Sequence, residues 1–306
     1  MPEILAAADI GSNTLHMLVA KYNDRNESQS LVRIENQSEW ISLGEIVSKK
    51  GMIPPVEVNR LISTLKKYRL LASSLKAEGF YVFATEAIRA ATNHKQILEK
   101  IFLETGLNVE LIDPVRETQL SWRGSLLDSK GKSPTLFVEL GGGSIQIAIC
   151  QGSTITNSIS LPLGTGRLIA QSELTYPCKP FQMDILKDII QRDLQKCLSF
   201  GTPARMVASG GVARGLLRAL HPDRERMLVL KELEYLSWAA ARISIDQMST
   251  RFGVKKKRAM TLVPGALVLL YLMREFIMPK VIVSEYGVRE GAILEMMEGK
   301  IIPCRL

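Results

Sequence analysis

The 306-residue chain predicts an α/β protein made of two related halves. Two observations carry this. Short apolar, strand-like runs alternate with segments whose apolar residues recur near the 3.6-residue helical period. In addition, one motif occurs twice. Ala8 to Ala20 reads A-D-I-G-S-N-T-L-H-M-L-V-A, and Val138 to Cys150 reads V-E-L-G-G-G-S-I-Q-I-A-I-C. Asp9 aligns with Glu139, Gly11 with Gly141, Asn13 with Gly143, Thr14 with Ser144 and His16 with Gln146. The interval from Asp9 to Glu139 is 130 residues, close to half the chain. An internal repeat of this kind reports architecture.

Ile4 to Ile10 and Thr14 to Tyr22 read as strands joined by a tight Gly-Ser-Asn turn, and Leu31 to Leu43 as one or two more. Pro54 and Pro55 open a helical pattern that runs to about Glu78, with Val58, Leu61, Ile62, Leu65, Tyr68 and Leu71 on its apolar face. Tyr81 to Thr85 is strand-like, TEAIRAATN reads as turn, and a helix follows to about Glu104. A short strand at Val109 to Ile112 precedes a helix opened by Pro114. Asp128 to Pro134, DSKGKSP, is linker-like and divides the chain into domains 1–127 and 128–306, with a last helix at about 288–306 available to pack on the first domain. Strands at Thr135 to Leu140, Ile145 to Cys150 and Thr154 to Leu163 open the second half. Helices fill most of the remainder. Two further strands, Ala204 to Ala208 and Lys280 to Ser284, each run into a glycine turn and then a helix, in SGGVARGLL and SEYGVREGAIL.

Hydrophobic content of 46% and charged content of 23% suit a soluble globular protein. The longest apolar run, Leu262 to Met273, contains Pro264 and Gly265 and falls well short of the ~20 residues of a membrane span. The opening MPEILAAAD lacks the basic region of a signal peptide. Cys150, Cys178, Cys197 and Cys304 form no CxxC pair and have no nearby His, which fits reduced thiols in a cytoplasmic protein better than zinc or disulfides. The net charge of +8 attracts polyanions. It concentrates at Lys255 to Arg258, KKKR, and among the arginines between Arg214 and Arg226. KKKR by itself reads as a solvated face. Few aromatics lie beside these charges in sequence, so no specific nucleic-acid partner is expected.

The two glycine turns have a chemical use. Glycines let another group approach backbone N–H donors closely, and successive N–H groups form an anion-binding nest. Thr14 or Ser144 adds a hydroxyl. The acid before each turn repels a bare phosphate but suits a cation bridging to phosphate, or a water. A P-loop would need GxxxxGK[ST], and a dinucleotide fingerprint would need a helix after the glycines, where a β-pattern follows here. Plain β-hairpins explain one such turn better than two at half-chain spacing.

DIGSNTLHMLVA, ATEAIRAATN, DPVRETQLSWRG, VELGGGSIQIAI, SLPLGTGRL, ASGGVARGLL and YGVREGAIL follow the order found in the exopolyphosphatase / guanosine-pentaphosphate phosphatase family, which this chain resembles over nearly its whole length. The resemblance implies two ribonuclease-H-like domains of the actin–hexokinase–sugar kinase superfamily with an interdomain cleft, in the short form without a C-terminal helical extension. It also implies Mg²⁺-dependent attack of water on a terminal phosphoryl group, with polyphosphate or a guanosine polyphosphate as substrate, and it is compatible with a homodimer. A sugar kinase on the same fold would need a sugar-binding signature, and none is evident.

By the same resemblance Glu117, in RETQL, takes the position of the general base, and Arg89, in AIRAA, that of an arginine facing the substrate phosphates. Gly141, Gly142, Gly143 and Ser144 match the phosphate loop, Gly11, Ser12 and Asn13 its partner, and Gly210 and Gly211 a later glycine turn. Glu139 and Asp9 are the implied metal ligands. Three positions depart from the family pattern. Glu139 stands in place of Asp, Gln146 in place of a Glu beside the water, and Val212 in place of Thr. Gln146 can orient a water but cannot serve as a base. His16 reads as a packed histidine, and His94 and His221 carry no signal. A catalytically weak polyphosphate- or nucleotide-binding sensor is the alternative to an enzyme.

Overall fold

The computed structural model describes residues 4–23, 30–223 and 225–306. The arginine-rich stretch around Arg214 to Arg226 includes Arg224, which lies outside the described residues. Packing divides the chain into two compact units. One comprises Met1–Leu127 with Tyr286–Leu306, the other Asp128–Glu285.

In the first unit the strands are β1 (Ile4–Ile10), β2 (Thr14–Asn23), β3 (Ser30–Trp40), β4 (Gly79–Ala84) and β5 (Val109–Leu111). The second contains β6 (Thr135–Leu140), β7 (Ile145–Gln151), β8 (Thr154–Leu161), β9 (Arg205–Ser209), β10 (Met227–Val229) and β11 (Lys280–Val283); β12 (Cys304–Arg305) belongs to the first. The first sheet runs β3-β2-β1-β4-β5, with β12 also on β4; the second runs β8-β7-β6-β9-β11-β10. In both, an antiparallel three-strand meander joins a parallel pair, β1 with β4 and β6 with β9. The repeat reaches fine detail. A bulge falls opposite Val19/Ala20 in the first meander and opposite Ile149/Cys150 in the second, again 130 residues apart.

Alternation along β1 explains how the first sheet is held. Ala6, Ala8 and Ile10 join one apolar cluster, with Leu61, Leu65 and Ile97 from helices on that face. Leu5 and Ala7 join another, with Leu120, Ala292 and Ile293. A sheet covered on both faces needs strands that are almost continuously apolar. In the second unit Leu136, Val138 and Leu140 point into a core built with helices Pro180–Leu194, Gly210–Leu220, Leu230–Ala240 and Leu262–Glu275. The apolar run in the last of these is an interior helix. Pro264 falls in its first turn, where a proline costs no hydrogen bond. Among the described residues no helix is long and apolar enough to cross a membrane.

Several elements differ from the sequence reading. Leu31 to Leu43 is one strand followed by helix Leu43–Lys50. TEAIRAATN is not simply a turn, because Glu86–Ala90 forms a short helix stopped by an extended Ala91. The pattern from Pro55 stops at Ser74 rather than about Glu78. The strands β10 and β12, of 3 and 2 residues, carry too little periodicity to be read.

Candidate active site

Each sheet presents a glycine turn at the end of its central strand. In the first unit Gly11 N–H donates to Thr14 O at 3.1 Å; in the second Gly141 N–H donates to Ser144 O, also at 3.1 Å. The main-chain N–H groups of Ser12, Asn13, Gly142 and Gly143 make no hydrogen bond among the described residues. They remain donors for an anion.

The carbonyls of the turns are fixed from behind. Asn13 O accepts from Ile41 and Ser42 N–H at 3.0 Å, and Ser12 O accepts from Gly44 N–H at 2.7 Å. Ser12 Oγ donates to Glu86 Oε2 at 3.0 Å. In the second unit Gly142 O accepts from Gly166 N–H at 2.8 Å, and Gly143 O from Arg167 Nε at 3.2 Å. Gly164 lies so close to the loop that a Cβ there would sit 2.2 Å from Gly143 C. The segment LPLGTGRL is therefore the support of the glycine loop, a role the sequence reading did not assign to it.

Asp9 closes β1, with one oxygen, Oδ1, buried and unpartnered. Burial pushes its pKa up to about 6, and the nearby Arg289 guanidinium opposes the shift. An orphaned buried carboxylate oxygen suits a hard cation such as Mg²⁺. A Cβ at Gly11 would lie 3.7 Å from both carboxylate oxygens, so the glycine leaves the space beside Asp9 open. His16 sits across from Asp9 in the sheet register. Arg89, in the last turn of Glu86–Ala90, donates from Nη1 to Ile112 O at 2.7 Å. That bond ties it to the loop entering helix Pro114–Ser125. Glu117 lies in the first turn of this helix, beside the Asp113 cap that accepts from Arg116 N–H at 2.7 Å. The fold thus brings Arg89 and the Glu117 helix to one end of the first unit.

In the second unit Glu139 pairs in register with Gln146 on one side and Ser209 on the other, and all three are buried. Gln146 Nε2 donates to Ser144 Oγ at 3.0 Å, while Gln146 Oε1 and Thr165 Oγ1, at the start of helix Thr165–Gln171, are buried without partners. Gly210 has φ +94°, and a Cβ there would lie 2.5 Å from Leu140 O, so glycine is required.

One residue of KKKR corrects the solvated reading. Lys255 to Lys257 are exposed, but Arg258 is half-buried and donates to Gly211 O at 2.6 Å. Burial and the nearby Arg218 lower its pKa. A Cβ at Gly215 would meet Arg258 Cδ at 2.7 Å, so the i, i+4 glycines of Gly211 and Gly215 were the available sign of this seat. His221 is also less bland than its sequence context. Its Nε2 lies 3.1 Å from Glu232 Oε1, and its Nδ1 faces Asp223 and Glu225. The four cysteines are free.

Paired ribonuclease-H-like sheets, each with a donor-rich glycine turn behind a carboxylate, define a phosphate-handling protein of the actin-like ATPase class. The chain belongs to the Ppx/GppA phosphatase family, whose model matches residues 22–300. It is 27% identical over 313 residues to Exopolyphosphatase 1 of Mycobacterium leprae, covering 97% of this chain and 90% of that protein. Among solved structures it resembles the Aquifex aeolicus Ppx/GppA family member, with TM-score 0.83, 25% identity, and 99% and 100% of the two chains covered. An exopolyphosphatase from Cytophaga hutchinsonii shares the fold, with TM-score 0.87, 22% identity, and coverage of 99% and 100%.

Proposed function

We propose that the protein releases terminal phosphate from inorganic polyphosphate, guanosine pentaphosphate or both. The observation that carries this reading is the duplicated turn: four backbone donors left for an anion, one pair following Asp9, whose Oδ1 is buried, and the other following the buried Glu139. The names of its relatives support the substrate class.

In the first unit the N–H groups of Ser12 and Asn13 bind phosphate oxygens, and Arg89 offers a planar fork to phosphate charge. In the second unit the N–H groups of Gly142 and Gly143, with Ser144, Gly210 and Gly211, do the same. Asp9 in the first unit and Glu139 in the second are each suited to hold Mg²⁺, which would neutralise charge developing on the phosphoryl oxygens. The Glu117 carboxylate accepts a proton from the attacking water as its oxygen bonds to the terminal phosphorus. The bridging P–O bond breaks, and the shortened chain leaves with the electron pair. Gln146, which cannot take a proton, holds the Ser144 hydroxyl and orients water through Oε1. The test is phosphate release from each substrate with and without Mg²⁺, in wild type and Glu117→Gln.

One observation favours a second reading, a catalytically weak sensor of polyphosphate or nucleotide. The buried position opposite Glu139 carries the neutral Gln146, so one acid fewer stands at this site than the family resemblance implies. Binding without release would select it.

A further inference from the structure

Helix Leu230–Ala240 and the residues just beyond it turn one row of side chains to solvent: Lys231, Tyr235, Trp238 and Arg242, at i, i+4, i+7 and i+11. The two rings are 45% and 56% exposed. The Arg242 guanidinium lies 4.6 Å from the Trp238 ring centroid and is held there by a 2.8 Å bond to Trp238 O. Arg251 approaches Tyr235 from the next helix, donating to its Oη at 2.6 Å. Cys178 N–H donates to Ala241 O at 2.7 Å, which brings Lys179 and the exposed Phe181 to the end of the row. Lys179 Nζ lies 6.0 Å from the Phe181 ring.

The acids on this helix are engaged elsewhere. Glu234 pairs with Arg274 at 2.7 Å, and Glu232 accepts from Val229 N–H and faces His221. Among the described residues, Lys179, Lys231, Arg242 and Arg251 form no ion pair with a carboxylate. A core-facing row would be apolar throughout, and an ordinary solvated row would mix acids with bases. This row sets two adjacent exposed rings between cations, and the guanidinium neighbours of both rings are already fixed. Polyphosphate would use the cations and leave the rings idle, whereas a polynucleotide strand uses both.

We propose that this face binds single-stranded nucleic acid, with bases stacked on Trp238 and Tyr235 and phosphates on Lys231, Arg242 and Arg251. The sequence argued against such a partner because KKKR lacks aromatic neighbours; the fold supplies the aromatics beside other cations. Non-specific binding of this kind needs no base-edge contacts.

The test is fluorescence anisotropy of a labelled oligouridylate of about 12 nucleotides, a length within the range of one such surface, with the full chain at low salt. Trp238→Ala is expected to weaken binding roughly 5- to 100-fold, as loss of one stacking platform does. Trp238→Phe should retain most of it. Arg242→Ala should flatten the slope of log affinity against log salt by about 0.7, one phosphate contact on a single strand. Polyphosphate binding should be the same in wild type and Trp238→Ala. Oligouridylate bound equally by wild type and Trp238→Ala, no binding in wild type, or equal binding of a polyglutamate of matched charge would each overturn the proposal.

Discussion

Gln146 donates from Nε2 to the Ser144 hydroxyl at 3.0 Å, so the residue opposite Glu139 is committed to holding the end of the glycine turn. Gln146→Glu keeps the shape and can accept the same hydroxyl proton, but it places a second acid beside Glu139. If the native site is a working phosphohydrolase, turnover should change by less than about tenfold, the span of 1.4 kcal/mol. Steady-state phosphate release checks this, and a much larger gain without tighter binding would select the sensor reading.

Gly164→Ala should be severe. The added Cβ would sit within 2.4 Å of Gly143 and Ser144 backbone atoms. The loop must move or the helix must shift, at a cost of about 1–3 kcal/mol or more. Gly201→Ala is the control: φ is +74° and ψ −160° with nothing within 4 Å, so only backbone strain of about 1–3 kcal/mol applies. Urea melts compare stability, and phosphate release should fall only in the first variant.

Asp9 gives a pH-dependent stability. Its folded pKa of about 6 lies above the ordinary 3.8, so the folded state holds the proton more tightly. Ionisation therefore costs stability as pH rises from about 4 to about 6, and the full cost, up to about 3 kcal/mol, is present above that window. Asp9→Asn should be the more stable protein at pH 7.5 and lose that advantage below pH 4. Denaturant midpoints at the two pH values check the sign.

Gly291→Ala should act on Glu117 from a distance. Helix Val288–Met297 crosses helix Pro114–Ser125 at backbone contact, and a Cβ at Gly291 would lie 1.8 Å from Leu120 O. Arg116–Glu295 and Arg123–Glu298 ion pairs fix the same crossing. Forcing the helices apart should cost about 1–3 kcal/mol and lower kcat more than it raises KM. Steady-state kinetics beside a thermal melt separate the two effects.

The duplicated turn was legible because its chemistry is local: an acid at a strand end, glycines, a hydroxyl, and a return strand. Their recurrence 130 residues apart already implied two similar sheets. The matching bulges opposite Val19/Ala20 and Ile149/Cys150 were not legible, since register depends on the partner strand. Helix Glu86–Ala90 was hidden because five residues hold barely one period. Arg258 was misread because its seat is made by Gly211 and Gly215, more than forty residues away in sequence. Lys231, Tyr235, Trp238 and Arg242 carry helical spacing, but only burial shows that this face stays outside.

The most direct test is phosphate release by purified protein from polyphosphate and from guanosine pentaphosphate, with and without Mg²⁺, beside Glu117→Gln. The proposed function predicts Mg²⁺-dependent release from at least one substrate, falling by two orders of magnitude or more in the variant, as loss of a general base does. Wild-type protein that binds either substrate yet releases no phosphate, or Glu117→Gln that releases it at the wild-type rate, would contradict that reading.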